Sequence, residues 1–206
     1  MLRASLRRVS ELHEKAQRFS AMRHSIAVAF MAPDLPENDR FTELLRAGCR
    51  ALDVETGVIA KVQGTRAEII CTHGPRNSHT NSGQPNLQAS LANLVVASRG
   101  QVVFHDLKGA DSKHRRDLNG NFPGCYAGTP LILDGKYYGV LEFSSERRRA
   151  KSWTEEELSV LGIVSMFVCS HLGLFGKLHA MNDAEKEMVH SLIDARQHEL
   201  DEKDAV

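Results

Sequence analysis

The stretch from Cys125 to Ser145, CYAGTPLILDGKYYGVLEFSS, constrains the fold more than any other part of the chain. Leu131, Ile132 and Leu133 lead into Asp134-Gly135, and Lys136 to Ser144 lead out again. Asp-Gly between two apolar runs predicts a β-hairpin with a type I′ turn, because that turn needs φ > 0 at both central residues. The arms are long and rich in Tyr, Val, Ile, Leu and Phe, which suits central strands. Gly128 and Gly139 lie inside the arms, where a bulge or a close backbone approach is the usual reason for a glycine. The preceding residues read as cover for this hairpin, and the following ones as a long helix.

The rest of the chain supplies helices and strands in an order that can cover a sheet. Leu2, Leu6, Val9, Leu12 or His13, Ala16 and Phe19 recur at helical spacing as a narrow stripe, the pattern of a coiled-coil seam or of a helix lying on its own domain. Residues 31–39 hold two prolines and read as a loop, with a helix from about Arg40. Its apolar face is Phe41, Leu44, Leu45, Gly48, Cys49 and Leu52. Strands are predicted over 56–63 and 66–73 around Gly64-Thr65, with Val58, Ala60 and Val62 on one face and Ile59 and Lys61 on the other. A polar loop over 74–88, a short helix over 90–98 and a third strand over 101–107 follow. Residues 108–124 form a polar connection into the hairpin. Thr154 and Glu157 have capping-box spacing at the start of the last helix, which runs without proline to about Asp201. Beyond Gly176 its apolar stripe narrows among charges, where the helix is expected to leave the globular body.

Composition narrows the function classes. The formal net charge is zero over 206 residues, which argues against a general nucleic-acid or membrane-surface binder. No uninterrupted apolar run approaches the roughly 18 residues that span a bilayer, so no membrane segment is expected. The N-terminus has basic residues but no apolar core of a signal peptide. Cys49, Cys71, Cys125 and Cys169 lie far apart without a C-x-x-C pair, as free thiols of a cytoplasmic protein would.

Gly128-Thr129-Pro130-Leu131-Ile132-Leu133-Asp134-Gly135, Tyr138-Gly139-Val140-Leu141-Glu142-Phe143 and Trp153-Thr154-Glu155-Glu156-Glu157-Leu158 together resemble the GAF domain, a relative of the PAS domain. The resemblance spans about Arg40 to Leu174. It implies an α+β fold (an α/β sandwich) with a central antiparallel sheet of about five or six strands. Helices would cover one face, and irregular loops would form a small-molecule pocket on the other. The domain plan is then a helix over 1–30, a GAF-like domain over 40–174 and a helical extension over 175–206. The resemblance further implies a sensory module acting as a homodimer through its terminal helices, with an output domain or partner protein outside this sequence.

Several residues are candidates for a ligand site. Cys71 and His73 share a strand face, a spacing that a metal or haem site could use. Phe104, His105 and Asp106 stand at a strand end near the expected pocket. Tyr126 lies at the hairpin's start. Glu142 interrupts an apolar strand and is expected to share a face with Tyr138, Val140 and Ser144. On a pocket face it would be a ligand-facing charge; on a solvent face it would mean nothing. The cofactor is unassigned: the loop over 110–124 has no cysteine for a bilin, and no nucleophile–base pair, P-loop or HExxH motif is present. Two rival readings are a ligand-free dimerisation module, its pocket filled by Phe104, Phe122 and Tyr126, and a redox enzyme like free-methionine sulfoxide reductase using Cys71 or Cys125.

Overall fold

The computed structural model describes residues 13, 16–17, 20–28, 37–75, 87, 90–109, 111 and 122–173. The chain divides into two compact units, 1–169 and 170–206, and the described residues of the second, 170–173, are helical. The elements are α1 (20–28), α2 (Glu37–Leu52), β1 (Thr56–Gln63), β2 (Arg66–His73), α3 (Leu91–Ser98), β3 (Val102–Phe104), β4 (Cys125–Leu133), β5 (Lys136–Ser145) and α4 (Glu155–Gly173). The strands form one antiparallel sheet in the order β2-β1-β5-β4-β3, so the hairpin supplies the central strand, β5. Its turn is as the sequence predicts, with Asp134 at φ 48° and Gly135 at φ 74°.

The two faces of the sheet carry different side chains because neighbours alternate along each strand. On the α2 face, Ile59, Leu141 and Phe143 are fully buried, and Phe41, Leu44, Leu45 and Leu52 of α2 are buried with them. The Phe143 ring occupies the space beside Gly48 and Gly57. A methyl group at Gly48 would stand 2.5 Å from that ring, and one at Gly57 would stand 3.0 Å from it. On the α3 face, Val58, Ala60, Ala67, Leu91, Val95 and Val140 form a second cluster. Val58 and Ala60 thus share the face expected of them, and buried Ile59 takes the other.

Four details depart from the sequence reading. Helix α2 starts at Glu37 rather than near Arg40, directly after Pro36, with Asp39 in the first turn where the helix dipole favours an acid. Strand β3 ends at Phe104, not Leu107, because the Asp111 carboxylate accepts the backbone N–H groups of His105 and Asp106 (3.0 Å each) and folds them into a turn. Strand β5 has a bulge: Leu131 pairs with Gly139 and Ile132 with Tyr137, leaving Tyr138 as the extra residue. Lastly, α4 is long and apolar enough, by length and composition, to cross a bilayer, with a mean hydropathy of 1.2. Within it Val160, Leu161, Val164 and Val168 form a fully buried stripe, while Met166 is exposed. The helix past Gly173 expected by the sequence, and the stripe before residue 13, lie outside the described residues.

The capping box forms as its spacing predicts. Thr154 N–H donates to Glu157 Oε2 (2.8 Å), and Glu157 N–H donates to Thr154 Oγ1 (3.3 Å).

Glycine-to-alanine changes in helices ordinarily stabilise by up to ~1 kcal/mol. Gly48→Ala is expected to do the reverse, destabilising by about 1–3 kcal/mol through overpacking against Phe143. Urea unfolding of the variant gives the sign, and a stabilised protein would show that the ring yields freely.

Candidate functional site

Glu142 sits in the middle of the α3 face. It lies on the central strand, paired with Gly128 of β4 on one side and Val58 of β1 on the other. Its polar company is two tyrosines. Tyr126 is buried, and its hydroxyl donates to Glu142 Oε1 at 2.7 Å. Gly128 allows this: a Cβ there would collide with the Tyr126 hydroxyl and stand 2.7 Å from Val95. The bulge then changes which tyrosine joins the face. Tyr137, not Tyr138, packs against the α3-face cluster, while Tyr138 meets Lys61, whose Nζ is 5.8 Å from its ring centroid. The expected grouping of Tyr138 with Glu142 is corrected accordingly. The Tyr137 hydroxyl is buried with no hydrogen-bond partner among the described residues.

Electrostatics follow from this burial. The Glu142 carboxyl is held above its ordinary range by desolvation, opposed by the Tyr126 hydrogen bond. Burial and the neighbouring Glu142 charge push the Tyr126 phenol well above its ordinary value, and the same two causes push Tyr137 up to about 12. Among the described residues no cation pairs with Glu142.

The other candidate residues divide by position. Phe104 packs on the same face, 6.4 Å from the Tyr126 ring, and Phe122 packs against that cluster. Cys71 and His73 do not join them. Cys71 pairs with Ile59 and His73 with Gly57, so both look toward α2. The Cys71 sulfur lies 3.5 Å from Thr42 Oγ1, and the His73 imidazole is held below its ordinary value by burial and then by Arg46. The bulge at Ile70, which stands between Ile69 opposite Ala60 and Cys71 opposite Ile59, sets this facing. His105 and Asp106 serve the turn after β3. His105 Nδ1 is 3.0 Å from Asp111 Oδ2, and Arg148 donates to Asp106 Oδ2 at 3.3 Å. Among the described residues no three His, Cys, Asp or Glu side chains converge as metal ligands would.

The thiols are poor nucleophiles. Burial raises Cys49 to about 12 and Cys125 to about 11, and it also raises Cys71 and Cys169. Cys71 on β2 and Cys125 on β4 are separated by three inter-strand steps of about 4.8 Å. That distance exceeds the reach of a disulfide, whose Cα atoms lie within about 7 Å.

A junction missed by the sequence reading joins this face to α4. Arg149 donates to the Leu52 carbonyl (2.8 Å), pairs with Glu157, and stacks 4.1 Å from the Trp153 ring centroid. Its backbone N–H donates to the His105 carbonyl (2.8 Å). Trp153 Nε1–H donates to the carbonyl of Phe104 at 3.2 Å. The run Arg147-Arg148-Arg149 reads as a basic loop by composition, and nothing in its spacing marks the third arginine as half-buried.

The family profile described as "GAF domain" matches residues 36–172, and the chain belongs to the GAF family. Solved structures agree on the fold. The GAF domain of a phosphoenolpyruvate-protein phosphotransferase from Coxiella burnetii is 15% identical, with a TM-score of 0.64, covering 80% of this chain and 98% of that one. The GAF domain of a sensor histidine kinase from Pseudomonas syringae pv. tomato is 13% identical (TM-score 0.60; 84% and 99% covered). Free methionine-R-sulfoxide reductase from Neisseria meningitidis, solved with its substrate, is 15% identical (TM-score 0.58; 74% and 89% covered). No curated protein matches the sequence.

Two outcomes check the site. Tyr126→Phe should raise the Glu142 carboxyl further, since the hydrogen bond it removes is the lowering influence; carboxyl-carbon NMR titration reads this directly. Glu142's folded value exceeds its ordinary 4.5, so the stability tied to its proton is full below that value and is lost as pH rises through the folded one. Glu142→Gln should therefore gain stability relative to the native protein as pH is raised from about 4.5 to neutrality. A gap in urea midpoints that stays constant with pH would show that Glu142 is solvated.

Proposed function

We propose that this protein is a small-molecule-binding regulatory module that reads its ligand on the α3 face and passes the result to α4. One observation carries the reading: a carboxylate stands at the centre of a largely apolar sheet face, and among the described residues Tyr126 is its one hydrogen-bond donor. Burying a charge costs several kcal/mol unless it is paired. As structural filling, a leucine at this position would serve better. As a ligand anchor, the carboxylate has a use.

The route to α4 is short. Phe104 packs on Tyr126, and its carbonyl receives Trp153 in the approach to α4. Arg149 binds the end of α2, the turn after β3 and the capping glutamate of α4 at once. A ligand that binds two arrangements of β3 with different affinity would shift this junction, and without that difference nothing is transmitted. Pairing of the terminal helices as a homodimer, with output carried by a partner or a further domain, belongs to the same proposal.

The ligand-free dimerisation module keeps support from the packing of Phe104, Phe122 and Tyr126 on this face. A redox enzyme has less, because burial keeps the thiols protonated and Cys71 and Cys125 stand apart. Native mass spectrometry of the purified chain, before and after denaturation, separates the first two. An added mass released on unfolding, and lost in Glu142→Ala while the fold persists by circular dichroism, is the expected result. A bare protein in the native spectrum would favour the packing module.

For the redox reading, thiol labelling of the native protein near pH 8 is informative. Cys49 and Cys125 should remain unmodified for as long as the protein is folded. Rapid modification of Cys125 would return the redox enzyme to first place.

A further inference from the structure

The Glu142 cluster defines the chemistry of what can bind it. A carboxylate has about four lone-pair positions, and Tyr126 fills one of them. The Tyr137 hydroxyl, on the same face, is buried without a partner among the described residues. The groups around them are Val58, Val140, Val95 and Phe104, with Gly128 opposite Glu142 across the hairpin. None is charged. Among the described residues the cluster offers a negative acceptor and a phenol hydroxyl within an apolar rim, and no positive donor.

The geometry points to a ligand with a cationic N–H head, such as a protonated amine, guanidinium or amidinium, on an apolar body, with the head against Glu142 and Tyr137. This assignment rests on the ligand-binding reading above and specifies its chemical class. Three considerations separate it from other ligands. An anion would meet a like charge in a poorly solvated place. A neutral amide could donate one or two hydrogen bonds but would leave the carboxylate's charge uncompensated. A cation does both, and charge-assisted hydrogen bonds are about twice as strong as neutral ones. The apolar rim then favours an aromatic or aliphatic body over a bare ion.

The test uses the full chain, labelled with nitrogen-15, and probes graded by charge and size. Methylammonium, methylguanidinium and benzamidinium are the cations; benzamide and benzoate are the neutral and anionic partners of the last. At least one cation is expected to shift the amides of Val58, Gly128 and Glu142 in a saturable way, with benzoate silent and benzamide weaker by about tenfold. Glu142→Gln, which keeps the shape, should weaken the cation about tenfold or more, and Tyr137→Phe should weaken it several-fold. Equal binding of the cation to Glu142→Gln would overturn the assignment. Saturable shifts from benzamide or benzoate at the same amides, without the cations, would overturn the cationic class while leaving a binding site on this face. Silence from all five probes at those amides would overturn both.

Discussion

The Phe143 ring fixes the spacing between helix and sheet. It lies where side chains at Gly48 and Gly57 would otherwise stand, so α2 and β1 close down on it from two directions. Phe143 belongs to the central strand, so this contact, with Leu45 beside it at Gly57, holds α2 close to the middle of the sheet. The next residue back, Glu142, must then face the opposite way. Close packing on one face thus holds the charged residue rigidly on the other, in the middle of β5 rather than at a fraying edge.

Much of this was legible in the sequence. Asp134-Gly135 announced the hairpin, Thr154 and Glu157 the start of α4, and Phe41 to Leu52 the buried stripe of α2, because each rests on local geometry that a few residues decide. The facing of individual side chains was less legible. Cys71 and His73 share a face, as their spacing requires, but the bulge at Ile70 and the pairing with β1 decide which one. Tyr138 was expected beside Glu142 and Tyr137 stands there instead, because one unpaired residue shifts the alternation. The early end of β3 depends on a carboxylate seven residues beyond Phe104, at Asp111, and Arg149 is half-buried among partners from three elements. Such contacts bring together residues far apart in the chain, and short-range periodicity carries no information about them.

The Arg149 junction and the Glu142 cluster lie at opposite ends of one short chain of contacts. Phe104 is the common member, with its ring toward Tyr126 and its carbonyl toward Trp153. A backbone shift of β3 would therefore be felt in both places without any long pathway through the core. Strand β3 is three residues long and lies at the edge of the sheet, which makes it the element of this sheet with the fewest ladder bonds to resist movement.

The bulge at Tyr138 makes the chemistry of the α3 face depend on strand length as well as residue type. Adding one residue to the facing arm, opposite Tyr138, would restore strict alternation and turn the Tyr137 hydroxyl away from Glu142, leaving the side chains beyond the bulge in place. A relative could keep both tyrosines and the glutamate, lose the irregularity, and present a different surface to a small molecule. Counting residues on both arms between the hairpin turn and the half-buried acid is accordingly a sharper comparison between such domains than matching their letters.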